Sequence, residues 1–292
     1  MASIPPPASL LALPCELRNQ IYLYIFAEQW TTRDAANLSK GRPAEATNAL
    51  SLALKLHTKA EPSSVSPDRR LSHFSILLAC RKLRTEAQLL ALSHTPFDLP
   101  SDCSSPDIFA LRTAHLSQPQ LASLRHLSLT AKINPLRALN ESWFGLPFGH
   151  PSLRLDKLTI VPQKPDCTTS CYAEIADLSQ AHTLAYVLAE TLKGLRNVKT
   201  LEVRNENCFN YSVWQVLYKG LILKLWRWGG VKCGATFESL EDDREDWKGS
   251  DAAFRVYMDE CHANGRGREV GDEIIRLAGG ELPELETAGV GF

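Results

Sequence analysis

The chain has 292 residues, 44% hydrophobic and 22% charged, with 32 Lys and Arg against 33 Asp and Glu. That balance belongs to a globular protein with a sizeable core, and it excludes a disordered chain or a strongly basic nucleic-acid binder. The charge is uneven: residues 1–235 carry 26 Lys and Arg against 18 Asp and Glu, and residues 236–292 carry 6 against 15. The cations are scattered rather than clustered, so no nucleic-acid partner is expected.

The opening, MASIPPPASLLALP, has neither the basic start nor the long apolar run of a signal peptide. The longest apolar stretch, Val213 to Val231, carries Lys219, Lys224 and Arg227. A membrane span needs about twenty mostly apolar residues, so this is a poor one. Eight cysteines, spread along the chain, read as reduced thiols. Cys15 and Cys80 fall on apolar helix faces, where burial is the expected fate. Cytoplasm or nucleus is the expected location.

Residues 2–9 are Pro- and Ser-rich and expected to fray. From Leu11 to Phe26 the spacing predicts a helix, with Pro14 at an early position and Glu16 in its first turn. Leu17, Ile21, Tyr24 and Ile25 share one face, and Leu13 can pack back on it as a staple. Arg18 and Asn19 are expected on the wet side. Tyr22, Leu23 and Phe26 widen the apolar stripe beyond one contact, leaving surface either for the chain's own second half or for a partner's groove.

Residues 30–70 read as a flexible insert. Leu50, Leu52, Leu54 and Leu56 alternate there as in a strand, in a residue type that prefers helix. A second helix is expected from an N-cap near Ser72, with Phe74, Leu77, Leu78, Leu83, Ala87 and Leu90 on its apolar face. Arg81, Lys82 and Arg84 look outward, and Glu86 is spaced to pair with Lys82. Thr95-Pro96 ends it, and Phe97 to Leu99 fit a short strand.

These two stretches resemble the fungal F-box-like proteins, including the group with paired E-x-R motifs. A first line of the type LPxEIRxxIY is matched by Leu13-Pro14-x-Glu16-Leu17-Arg18-x-x-Ile21-Tyr22. A second, LLxxCRxxxxEAxxLLYxxNxF, is matched by Leu77-Leu78-Ala79-Cys80-Arg81, Glu86-Ala87, Leu89-Leu90, Ser93-His94 and Phe97. An F-box is a three-helix module that docks on the Skp-type adaptor of cullin–RING ubiquitin ligases. The resemblance implies that Leu13, Pro14, Leu17, Ile21 and Ile25 sit at that contact, with Leu78 and Cys80 on the following helix. Two departures stand out: a long insert replaces the short turn, and Leu83 stands where many F-boxes carry Trp.

After Pro106 the rhythm changes. Pro106-Asp107 opens a helix carrying Ile108, Leu111 and Leu116. Strands are expected at Leu124–Leu129, Leu155–Ile160 and Val198–Val203, each an LxxLxL-like run, and Leu184 to Leu195 is an amphipathic helix. The repeats resemble leucine-rich repeats, but the spacings, 31 residues from Leu124 to Leu155 and 43 from Leu155 to Val198, are too uneven for a regular solenoid. Ser212 to Gly229 reads as a long helix holding Trp226 and Trp228. Trp is enriched at binding hot spots and is also a common core residue; its burial habit favours the core. A fourth strand is expected at Val231–Phe237, a solvated acidic loop at Glu238–Trp247, and helices near Ser250–Ala263 and Glu269–Ala278.

The fold class is therefore α+β or irregular α/β. Residues 1–100 form an F-box-like helical module, and residues 101–292 a leucine-rich-repeat-like body with a small parallel or mixed sheet and an acidic end. No GxSxG, P-loop or HExxH motif occurs, and GRGREVG at 265–271 misses dinucleotide spacing. Cys167 and Cys171 are one close pair where zinc sites generally need two, so no metal is expected. The expected function is a non-enzymatic adaptor without cofactor that binds protein partners, a Skp-type adaptor and a target among them. The competing reading keeps the family's helices as fold alone.

Overall fold

The computed structural model describes residues 10–37, 76–163, 173–206, 208–227, 235–240, 252–258 and 267–279. Helix α1 (Cys15–Asn37) begins directly after Pro14, with Glu16 in its first turn. The second helix comes in two pieces. A single turn, α2 (Ile76–Ala79), stops at Cys80, whose backbone is extended (φ −157, ψ 162) and whose thiol accepts the Leu83 N–H at 3.5 Å. Cys80 is thus the N-cap of α3 (Arg81–His94), satisfying one of the donors a helix start leaves open. The expected cap, Ser72, lies outside the described residues, as do Phe74 and the 50–56 leucines. Thr95, extended before Pro96, ends α3, and β1 (Phe97–Leu99) follows.

Helices α4 (Pro106–Thr113) and α5 (Gln118–Ser123) lead to β2 (His126–Lys132). Short α6 (Ile133–Leu136) and α7 (Leu139–Trp143) lead to β3 (Leu155–Gln163), and the long α8 (Ala173–Gly194) to β4 (Val198–Arg204). After α9 (Tyr211–Arg227) come β5 (Thr236–Leu240), β6 (Ala253–Tyr257), the two-residue β7 (Arg268–Glu269) and α10 (Val270–Leu277). All seven strands form one mixed sheet in the order β1-β2-β3-β4-β6-β5-β7. β1 to β4 run parallel and in chain order, which requires a crossover between each pair; the intervening helices supply it. β6, β5 and β7 are antiparallel.

Register explains the core. Phe97, Leu127, Leu158, Leu201, Val256 and Phe237 are consecutive partners across six strands. Two residues on, Leu99, Leu129, Ile160, Val203 and Phe254 form a second apolar rung. Because side chains alternate along a strand, both rungs face the same way. Each body helix adds buried side chains to that one cluster, Leu188 of α8 and Leu221 of α9 among them. Asp98, Ser128, Thr159, Glu202, Arg255 and Glu238, the residues between the rungs, face away from it.

Three expectations are corrected. Residues 253–257 are a strand, not part of a helix over Ser250–Ala263. Glu238 belongs to β5 rather than to an acidic loop, and residues 241–251 lie outside the described residues. On α4 the inward residues are Phe109 and Thr113, while Leu111 is exposed. The helix at Val270–Leu277 matches expectation.

Candidate functional site

Helix α1 shows two faces, and the face carrying Arg18, expected on the wet side, is the one turned inside. Arg18, Tyr22 and Phe26, spaced by four, are buried. Tyr22 and Phe26 join Leu83, Ala87 and Ala91 of α3 in a small apolar cluster separate from the body's core. Beside it the Arg18 guanidinium grips Glu86 through two hydrogen bonds of 2.9 Å each and donates a third to the Leu13 carbonyl. The Tyr22 hydroxyl donates to the same carboxylate at 3.4 Å. Arg18 is therefore not on the wet side, and Glu86 is paired with Arg18 rather than with Lys82. The hydrogen bond from Arg18 holds the Glu86 carboxyl below the usual range, against the opposing effect of burial.

Leu17, Ile21 and Tyr24 lie on the neighbouring face, turned roughly 100° from Arg18. They are 46%, 37% and 70% exposed, and Leu78 on α2 is 62% exposed. Pro14 is exposed too, Leu13 half-buried, and Ile25 and Cys80 are half-buried against the small cluster. Of the residues expected at a partner contact, Pro14, Leu17, Ile21 and Leu78 are open to one, while Ile25 and Cys80 serve the fold. Cys15 is exposed, contrary to expectation, and among the described residues Cys103 and Cys208 are the buried thiols. Burial lifts the Cys103 thiol to about 12, which leaves it an inert hydrophobe. Trp226 is half-buried against the body's core. Trp228, Cys167 and Cys171 lie outside the described residues.

On the sheet's polar face stands a charged cluster that sequence reasoning missed. The Glu202 side chain has no exposed surface, yet it is ringed by Lys157 at 2.9 Å, Arg255 at 2.5 Å and Arg204. Arg255 also approaches Glu238 at 3.9 Å, and the Tyr257 hydroxyl donates to Glu238 at 2.6 Å. Burial alone would raise the Glu202 carboxyl; Arg204, Lys157 and Arg255 reverse that and hold it at about 2. So Glu202 stays ionised through neutral pH with its oxygens occupied. It has no proton to give, and it ties three strands together. The signal was faint: Glu202 is one polar residue in an alternating strand, and two of its three partners come from β3 and β6.

No group of three or more His, Cys, Asp or Glu among the described residues is placed to hold a metal ion. None of the helices searched among them is long and apolar enough to cross a membrane. Comparison with known protein families, curated proteins and solved structures finds no match to this chain.

Proposed function

We propose that this protein is a non-enzymatic interaction adaptor of the F-box-like kind, working in the cytoplasm or nucleus. Its N-terminal helices dock on the Skp-type adaptor of a cullin–RING ubiquitin ligase, and its leucine-rich-repeat-like body presents a surface to a target protein. The observation that supports this most is the division of labour on α1: Arg18, Tyr22 and Phe26 hold the module together, leaving Leu17, Ile21 and Tyr24 as an apolar ridge in water. Exposed apolar side chains aligned on one helix face are a common mark of an interaction surface. The test is co-purification with a Skp-type adaptor. Leu17→Asp with Ile21→Asp should reduce capture by roughly tenfold or more, since charges on the docking ridge would have to be desolvated, while leaving the fold intact.

The Arg18–Glu86 pair favours a second reading. Both residues belong to the motif lines, and they are spent on each other, which a purely structural use of the helices would also require. In that case wild-type protein and the double aspartate variant fail alike to capture the adaptor.

A further inference from the structure

Three of the parallel strands are entered through the same dipeptide. Leu124-Arg125 precedes β2, Leu153-Arg154 precedes β3 and Leu195-Arg196 precedes β4. Each leucine is buried in the body's core, which fixes the chain just before the strand, so the arginines emerge at one end of three adjacent strands. Arg125 is anchored there, its Nη1 donating to the Arg154 carbonyl at 2.8 Å. Arg154 and Arg196 are exposed, and among the described residues no carboxylate pairs with either. Two acids of these repeats are already engaged: Asp156 with Lys199 at 2.7 Å and Glu190 with Lys193 at 3.4 Å.

A second observation concerns the same end. Phe144 caps α7 in the left-handed region (φ 49, ψ 37), and it is 86% exposed. Its position is tied to the arginine row, because the Gly145 carbonyl accepts the Arg196 N–H at 2.7 Å. Gly145 itself (φ +76) lies so close to α8 that a Cβ would come within 2.5 Å of the Gly194 oxygen. A large apolar residue in a disfavoured backbone state, gaining almost no burial, is not explained by packing.

We propose that this end of the sheet binds an acidic peptide segment of a protein partner, its carboxylates on Arg154 and Arg196 and a neighbouring apolar side chain on Phe144. Guanidinium groups match carboxylates in bidentate geometry, and an exposed ring offers apolar contact at little entropic cost. A nucleic acid fits less well, since two exposed arginines and one ring offer few of the phosphate contacts that a continuous backbone needs. Such a segment is the kind of target that the adaptor reading, on which this assignment rests, leaves open. Its binding site includes no residue of the N-terminal ridge.

The test is fluorescence anisotropy of the full chain, with no ligase adaptor present, so its outcome is separate from that of the docking experiment. The probes are a labelled glutamate-rich peptide with a central phenylalanine, the same peptide with glutamine for every glutamate, and a labelled single-stranded oligonucleotide. Salt-sensitive binding of the first probe alone is expected. R154E with R196E should weaken it by about tenfold or more. F144G should weaken it by a few-fold without changing the salt dependence, and should keep or raise the melting temperature because glycine accepts positive φ. Absence of peptide binding, tighter binding of the oligonucleotide, or indifference to the arginine reversals overturns the proposal. A melting temperature lowered by F144G overturns the role given to Phe144.

Discussion

Arg18 and Glu86 are 68 residues apart and form a two-hydrogen-bond ion pair in the N-terminal module. Truncating Arg18 to alanine would leave Glu86 facing an apolar cluster without its partner, so α1 should loosen from α3. Faster proteolytic cleavage within α1 is the expected readout, and the exchange R18E with E86R should restore part of the resistance. Glu202 is the body's counterpart. Glu202→Gln removes the charge that three cations share, and should cost about 1–3 kcal/mol in a chemical-denaturation experiment. The sum stays modest because Lys157, Arg204 and Arg255 keep partial access to water. Neither role was legible in the strings ELRNQ or TLEVR, where both residues read as ordinary surface charges; each becomes internal only through partners the chain delivers from far away.

The helices and strands differ in how plainly they announced themselves. Helices α1, α3, α8 and α9 follow from periodicity, and β2 to β4 from the repeated LxxLxL run. Strand β6 did not, because AFRVY is short and sits among helix-forming neighbours. It becomes a strand by pairing with β4 and β5 on both sides. The orientation of α1 was equally hidden, since Leu17/Ile21 and Tyr22/Phe26 have the same four-residue spacing. Which stripe turns inward is a packing decision. Phe26→Ala, emptying a fully buried site, should destabilise the module by about 3 kcal/mol. Leu17→Asp, on the ridge, should stay within about 0.5 kcal/mol; hydrogen exchange along α1 would separate the two. In the α7 turn Gly145→Ala should cost about 1–3 kcal/mol in thermal melts, its Cβ colliding with backbone that cannot swing aside.

For the molecule as a whole, stability against acid should fall in two stages. Burial pushes the His126 imidazole down to about 4 from 6.5, despite the nearby Asp156. The half-buried ring is neutral, so its share of the stability is full above about 6.5 and is lost as the pH falls towards 4. Glu202, at about 2 against 4.5 in an open chain, contributes fully above 4.5 and loses that share as the pH falls towards 2. Melting temperature followed against pH should show both declines. His126→Asn should flatten the first and Glu202→Gln the second; a single unchanged decline in both variants would contradict the assignment.

What the sequence determined by itself was local: the existence of the longer helices and of the first four strands, which strands are apolar on one side, and that α3 must end at Thr95-Pro96. Those features depend on neighbours within a turn or a pleat, so they can be read in place. Tertiary structure decided the rest: which face of α1 is sealed, that Glu202 lies inside a ring of cations, and that three Leu-Arg pairs come out at one end of a sheet. Each of those depends on residues tens of positions apart meeting in space, and side-chain spacing along one element carries no information about what the other element brings.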